Sequence, residues 1–155
     1  ATGAAIGFGA TALFHCDVVY VGESLKMRLP FANLGLVPEA ASSYTLARNI
    51  GYQQAAELLF TAEWINADKA VATGIARAKL ADDNVLNHAQ SKAAEMAKWP
   101  LSSLRETKRL LQQPHREAIE TIRQLELEAM MRLVGSPENV EAVTAFLEKR
   151  DPVFN

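Results

Sequence analysis

The sequence predicts an α/β fold that continues into an all-helical region. Three observations support this prediction. Residues 1–80 contain short β-branched runs beside segments with helical spacing. Every strong signal from about residue 82 onward is helical. The 155 residues are 49% apolar, which is enough for one domain with a sizeable core. We therefore expect a mixed part over residues 1–81 and a helical part over residues 82–155.

The mixed part begins with a glycine turn. Gly3, Gly7 and Gly9 allow a tight turn and a close approach of the backbone to a ligand. The small and apolar residues after them predict a buried helix, at whose start free N–H groups would point out of the turn. Such donors suit a developing negative oxygen. A Rossmann dinucleotide site is not indicated, because the third glycine of its spacing is absent.

Strands and helices are both predicted after this turn. Short β-branched or alternating runs predict strands over residues 17–21, 26–29 and 75–80. Helical spacing predicts helices over residues 53–60 and 66–73. For the second helix, Asn66 is a suitable N-cap and Gly74 a suitable stop.

The helical part is divided by proline and glycine. Predicted helices cover residues 84–98, 101–112 and 115–133, and a fourth begins after residue 135. Ser136 followed by Pro137 supplies the last helix with a cap and a first-turn proline. Leucine and methionine stripes on these helices are more often core than cofactor surface.

The composition of the chain limits the kinds of partner that it is expected to bind. The net charge of −2, from 16 basic and 18 acidic residues, does not indicate binding to nucleic acid or to an anionic membrane. No uninterrupted apolar stretch reaches the roughly 18 residues of a membrane helix. The single cysteine, Cys16, excludes an internal disulfide and is predicted to lie in the core. The three histidines are too widely spaced to indicate a metal site.

Glu39 is the strongest chemical signal. It lies between a proline and two alanines, just after an apolar run. A carboxylate in such surroundings loses hydration, which favours a role in proton transfer. Taken alone, it is more often a helix-start residue, since its charge suits the helix dipole there. The glycine turn about thirty residues earlier makes the catalytic role the better prediction, and Ser42 and Ser43 are then read as the helix start.

Together these segments resemble the crotonase superfamily, the enoyl-CoA hydratases and isomerases. The matching segments are residues 3–9, 16–20, 29–31, 34–38, 55–59, 67–70, 74–76, 107–111 and 145–150. The resemblance implies that residues 1–81 are the C-terminal part of a ββα spiral core. It implies that residues 82–155 are a helical region that joins three subunits. It also implies that the N-terminal half of the fold lies outside this chain.

The positions at which this sequence differs from the hydratase pattern imply which reaction the protein catalyses. Hydratases resembling this chain use two glutamates to activate and orient water, and the matching positions here are Thr11 and Phe31. Neither side chain serves as a base at neutral pH. Hydratases typically carry glycine where this chain has Glu39. The combination is similar to that of Δ3,Δ2-enoyl-CoA isomerases of the peroxisomal type, in which one glutamate handles the proton.

The resemblance therefore implies an enoyl-CoA isomerase of fatty-acid oxidation. Glu39 would be the base, and the Phe8 N–H one of two oxyanion donors. The other expected substrate contacts are Gly7, Gly9, Thr11, Phe31, Leu34, Leu36 and Lys149. No cofactor is expected, since coenzyme A is part of the acyl-CoA substrate. A homotrimer or hexamer is expected, in the cytoplasm or, in a eukaryote, in peroxisomes or mitochondria.

Two alternatives stay open at this point. One is a different crotonase reaction on an acyl-CoA, such as hydration, thioester hydrolysis or C–C bond cleavage. The other is a catalytically incomplete fragment that self-associates. An acyl-CoA panel would distinguish the first from isomerisation.

Overall fold

The computed structural model describes residues 1–154, which form two small sheets packed among helices. The strands are β1 (Ala4–Ile6), β2 (Tyr20–Gly22), β3 (Lys26–Arg28), β4 (Ile65–Asn66) and β5 (Ala78–Leu80). In one sheet β3 is central, parallel to β1 and antiparallel to β4, with Met27 opposite Ala5 and Ile65. In the other, β2 and β5 are parallel. This arrangement brings the glycine turn after β1 next to the end of β3.

The helices follow the predicted order. They are α1 (Phe8–Thr11), α2 (Ser42–Ile50), α3 (Tyr52–Thr61), α4 (Ala67–Thr73), α5 (Asp82–Met96), α6 (Leu101–Gln112), α7 (Arg116–Leu133) and α8 (Pro137–Glu148). Short 3₁₀ turns occur at Ala12–His15, Ala32–Leu34 and Gln113–His115.

Capping explains several of the helix boundaries. Asn66 caps α4, since its side chain accepts a hydrogen bond from the Lys69 N–H at 2.8 Å. Ser136 caps α8 by accepting from the Asn139 N–H at 3.2 Å. Gly74 ends α4 in the left-handed conformation, with φ of 89°. Both predicted caps and the predicted stop are confirmed.

Two predicted strands are shorter than expected. The run over residues 17–21 enters the sheet only at Tyr20, and the run over residues 75–80 enters it at Ala78. Ile75 and Ala76 are buried but lie in a bend, where the Ala76 N–H bonds to the carbonyl of Ala70. These two residues are therefore buried without strand pairing.

The apolar core lies in the mixed part. Its largest fully buried side chains are apolar and come from the sheets, the loops beside them and α2–α3: Val21, Leu25, Met27, Leu29, Leu46, Leu58 and Ile65. In contrast, α6 buries no residue, and α7 buries only Glu126. Large apolar side chains on the helical part are exposed, among them Leu110, Leu111, Met131 and Phe146. Residues 1–154 alone therefore leave the apolar faces of these helices uncovered.

Cys16 is exposed, so the prediction that it lies in the core is wrong. It follows the 3₁₀ turn Ala12–His15, and its extended backbone carries it away from the buried Phe14. No helix among residues 1–154 is long and apolar enough to span a membrane.

Candidate active site

The glycine turn presents a free backbone donor. Gly7 adopts φ 54° and ψ −120°, a conformation open in practice only to glycine, and starts α1 directly after β1. Its carbonyl accepts the N–H groups of Ala10 and Thr11, at 2.9 and 3.0 Å. Within residues 1–154 the Phe8 N–H makes no hydrogen bond, and Phe8 is exposed. The turn can therefore donate this N–H to an oxygen atom outside the chain.

Thr11 joins the glycine turn to Glu39. The Thr11 hydroxyl donates to Glu39 Oε1 at 2.5 Å, the short distance typical of a hydroxyl bound to a carboxylate. Thr11 is fully buried, whereas Glu39 is half-buried. In the described part of the chain, no hydrogen bond reaches Glu39 Oε2. One carboxylate oxygen is thus anchored, and the other is available to accept a proton.

Glu39 begins a strained turn. The Ser42 N–H donates to the Glu39 carbonyl at 3.0 Å, and both central residues are left-handed, Ala40 with φ 58° and Ala41 with φ 55°. A side chain with a Cβ is disfavoured in this region by about 1–2 kcal/mol per residue. Two successive alanines there require support from the surrounding structure.

That support comes from Glu126 and His15. Glu126 Oε2 accepts the Ala41 N–H at 2.6 Å, and Oε1 accepts the N–H and hydroxyl of Ser43 at 2.9 and 2.6 Å. Glu126 is only 8% exposed. On the other side of the turn, His15 Nε2 donates to the Ala40 carbonyl at 2.7 Å. The turn is therefore held through its own backbone groups.

A further contact ties α2 to the start of α7. The Tyr44 hydroxyl and His115 Nδ1 are 2.8 Å apart. Together with Glu126, this contact makes α7 the element that fixes the beginning of α2. The helical part is thereby connected to the segment that carries Glu39.

Neither Glu126 nor His15 was predicted from the sequence to take part in the site. A signal for Glu126 was nevertheless present, because it falls on the same helical face as Ile119, Ile122 and Met130, the less exposed stripe of α7. A glutamate within an apolar stripe is unusual, since carboxylates are rarely buried without partners. No comparable signal marked His15.

The loop before Glu39 holds the predicted pocket residues. Phe31 is buried, and its carbonyl accepts the N–H groups of Leu34 and Leu36 at 3.1 and 2.8 Å. Both leucines are half-buried. The Asn139 side chain donates to the Leu34 carbonyl at 2.7 Å, which attaches the loop to the start of α8.

Lys149 lies at the opposite end of α8. Its backbone is about 15 Å along the helix from Asn139, given the rise of 1.5 Å per residue. It is exposed and ends the helix in the left-handed conformation. The structure thus brings Phe8, Thr11 and Glu39 together, with the Phe31–Leu36 loop leading into Glu39, but it does not bring Lys149 close to that loop.

A cleft lies elsewhere in the described part of the molecule. It has a volume of about 790 Å³ and is lined by the 3₁₀ turn after α1, by α2, by the bend around Ile75 and by parts of α6 and α7. Glu39 does not line it. Residues 1–154 contain no group of three or more histidine, cysteine or acidic side chains placed to bind a metal ion.

The chain belongs to the enoyl-CoA hydratase/isomerase family, since the sequence model of that family matches residues 1–155. It is 30% identical over 152 residues to the 2,3-dehydroadipyl-CoA hydratase of Escherichia coli K12, covering 98% of this chain and 60% of that protein. It is 28% identical over 148 residues to enoyl-CoA delta isomerase 2 of Rattus norvegicus, covering 96% of this chain and 38% of that protein.

The fold is confirmed by a solved structure. The enoyl-CoA hydratase/isomerase from Pseudoalteromonas atlantica T6c superposes with a TM-score of 0.94 at 35% identity, covering 99% of this chain and 62% of that one. The predicted crotonase fold and superfamily are therefore correct. The chain spans between 38% and 60% of the length of the two curated relatives above.

Proposed function

We propose that this chain carries the catalytic glutamate of an enoyl-CoA isomerase, which moves a double bond from Δ3 to Δ2 of an acyl-CoA. The observation that supports it most is the placement of Glu39: the Thr11 hydroxyl anchors its Oε1, and its Oε2 accepts no hydrogen bond from the described residues. The family resemblance implies that hydratases carry their two water-handling glutamates at positions that hold Thr11 and Phe31 in this chain. Both are buried, and Thr11 is engaged with Glu39.

The reaction needs one base and oxyanion donors. Glu39 Oε2 takes a proton from C2 of the 3-enoyl thioester, and the electron pair delocalises onto the thioester oxygen as a dienolate. The Phe8 N–H donates to that oxygen as one of the two oxyanion donors that the family resemblance implies. The protonated Glu39 then returns the proton to C4, so that the double bond lies between C2 and C3. Each donor of this kind typically contributes about 3–4 kcal/mol to transition-state stabilisation.

Hydration is the second candidate. The relatives include a 2,3-dehydroadipyl-CoA hydratase at 30% identity beside an enoyl-CoA delta isomerase at 28%, so overall similarity does not distinguish the reactions. The lack of a second placed carboxylate among the matching positions favours isomerisation. A single base shuttles a proton between two carbons, whereas the similar hydratases use two glutamates to activate and orient water.

The test is Glu39→Gln in the intact protein. The amide cannot accept the proton, so 3-enoyl-CoA isomerisation should fall by at least the 10²–10⁴-fold typical of general acid–base catalysis. Binding of a saturated acyl-CoA, measured by calorimetry, should persist because the side chain keeps its shape. Glu57→Gln, the same change at an exposed position of α3, is the matched control. If Glu39→Gln kept more than about a tenth of the rate, another base would be acting.

A further inference from the structure

We propose that Glu126 is a positioning residue for Glu39, acting through the strained turn between them. This inference rests on the proposed function of Glu39. Glu126 lies on α7, 83–85 residues after the groups that it binds, and among residues 1–154 its partners are two backbone N–H groups and one hydroxyl, not a cation. Its three donors all belong to the segment that directly follows Glu39.

The chemistry of the contact requires a carboxylate. The N–H groups of Ala41 and Ser43 and the Ser43 hydroxyl converge on its two oxygens, at 2.6–2.9 Å. A glutamine at this position has only one oxygen acceptor, and its NH₂ group would face an N–H or hydroxyl donor. The three donors therefore require a side chain with two acceptor oxygens. A carboxylate meets this requirement, and its charge-assisted hydrogen bonds are stronger than neutral ones.

The turn transmits this contact to Glu39. The Ala41 N–H held by Glu126 belongs to one of the two left-handed alanines, and the next N–H, that of Ser42, bonds to the Glu39 carbonyl. Without Glu126, alanine would favour relaxation to a negative φ. Relaxation at Ala41 rotates the Ala40–Ala41 peptide, one peptide away from Glu39, and would thereby move the Glu39 carboxylate relative to Phe8 and Thr11. A misplacement of about 1 Å can lower a rate about 100-fold.

A purely structural role predicts a different result. If the Glu126 carboxylate only capped the start of α2, its removal would lower the unfolding temperature. The turnover of each folded active site would stay constant. Positioning instead lowers kcat in the folded protein. It also predicts that glycine in the turn compensates for the loss, since glycine adopts positive φ without the Cβ penalty.

The experiment compares Glu126→Gln with Glu128→Gln, an exposed glutamate two residues further along α7. Both are measured in the intact protein for isomerase kcat and KM, saturated acyl-CoA binding and unfolding temperature. We expect kcat of Glu126→Gln to fall about 10–100-fold with little change in binding, and Glu128→Gln to behave as wild type. Adding Ala40→Gly and Ala41→Gly to Glu126→Gln should restore most of the lost kcat.

The outcomes separate the two proposals. If Glu39→Gln abolishes isomerisation but Glu126→Gln keeps kcat within about threefold of wild type, positioning by Glu126 is refuted and the proposed function stands. If the glycines fail to restore kcat in well-folded Glu126→Gln protein, the claim that Glu126 acts through the turn is refuted. If Glu39→Gln itself keeps its rate, the proposed function fails first.

Discussion

Replacing Gly35 with alanine tests how closely the start of α8 packs against the loop that leads to Glu39. Gly35 is left-handed, with φ 65° and ψ 28°, so a Cβ there is disfavoured by about 1–2 kcal/mol. A Cβ at this position would lie 2.9 Å from the Asn139 N atom and 3.1 Å from Glu138 C. Both are backbone atoms and cannot rotate away. Overpacking of this kind adds about 1–3 kcal/mol.

The two contributions give an expected loss of about 2–5 kcal/mol in the free energy of unfolding. At this chain length each kcal/mol lowers the unfolding temperature by about 2–4 °C, so the shift should be clear in a calorimetric scan. Gly135→Ala is the matched control. Gly135 has φ 79°, but a Cβ there would meet no atom within 4 Å, so only the conformational penalty applies. Equal losses for the two variants would refute the packing argument, and a Gly35→Ala loss below about 1 kcal/mol would refute both contributions.

Three further predictions concern charge, reaction and assembly. The hydrogen bonds from Arg150 and, to a smaller extent, from the Val153 N–H lower the pKa of Glu141 from 4.5 to about 2. The Glu141 carboxylate therefore stabilises the fold above pH 4.5, and this stabilisation is lost as the pH falls toward 2. The stability difference between wild type and Glu141→Gln should accordingly shrink over that range in acid titrations followed by circular dichroism, and a constant difference would contradict it. The intact protein should isomerise a 3-enoyl-CoA far faster than it hydrates a 2-enoyl-CoA of equal chain length, and equal or faster hydration would favour a hydratase. Residues 1–155 alone should self-associate, as trimers if the resemblance extends to assembly, because the apolar faces of α6–α8 are exposed. Light scattering should show that Met131→Glu weakens this association. A wild-type chain that is monomeric would refute the prediction.

Local signals in the sequence placed most of the helices, although α2 was predicted only by its start at Ser42 and Ser43. The helix α6 has the predicted bounds, and α4 and α8 begin at the predicted caps, because periodicity and capping depend on residues within a few positions of one another. The strands were less exact, since a strand's ends depend on a partner segment distant in the chain. Val18 and Val19 have the β-branched side chains typical of strands, yet pairing with β5 begins only at Tyr20.

Residue types and their order were enough to indicate the candidate site: Glu39 after its proline, and the glycine turn with Phe8 and Thr11. The arrangement of these residues depends on contacts between distant segments. The Thr11–Glu39 hydrogen bond and the contact of the left-handed Ala40–Ala41 turn with Glu126 join positions 28 to 85 residues apart. Alanine has no intrinsic preference for positive φ, so no local sequence pattern predicts the left-handed turn at Ala40 and Ala41. Its conformation is set by a carboxylate on α7, and that contact exists only once the helical part has packed against α2.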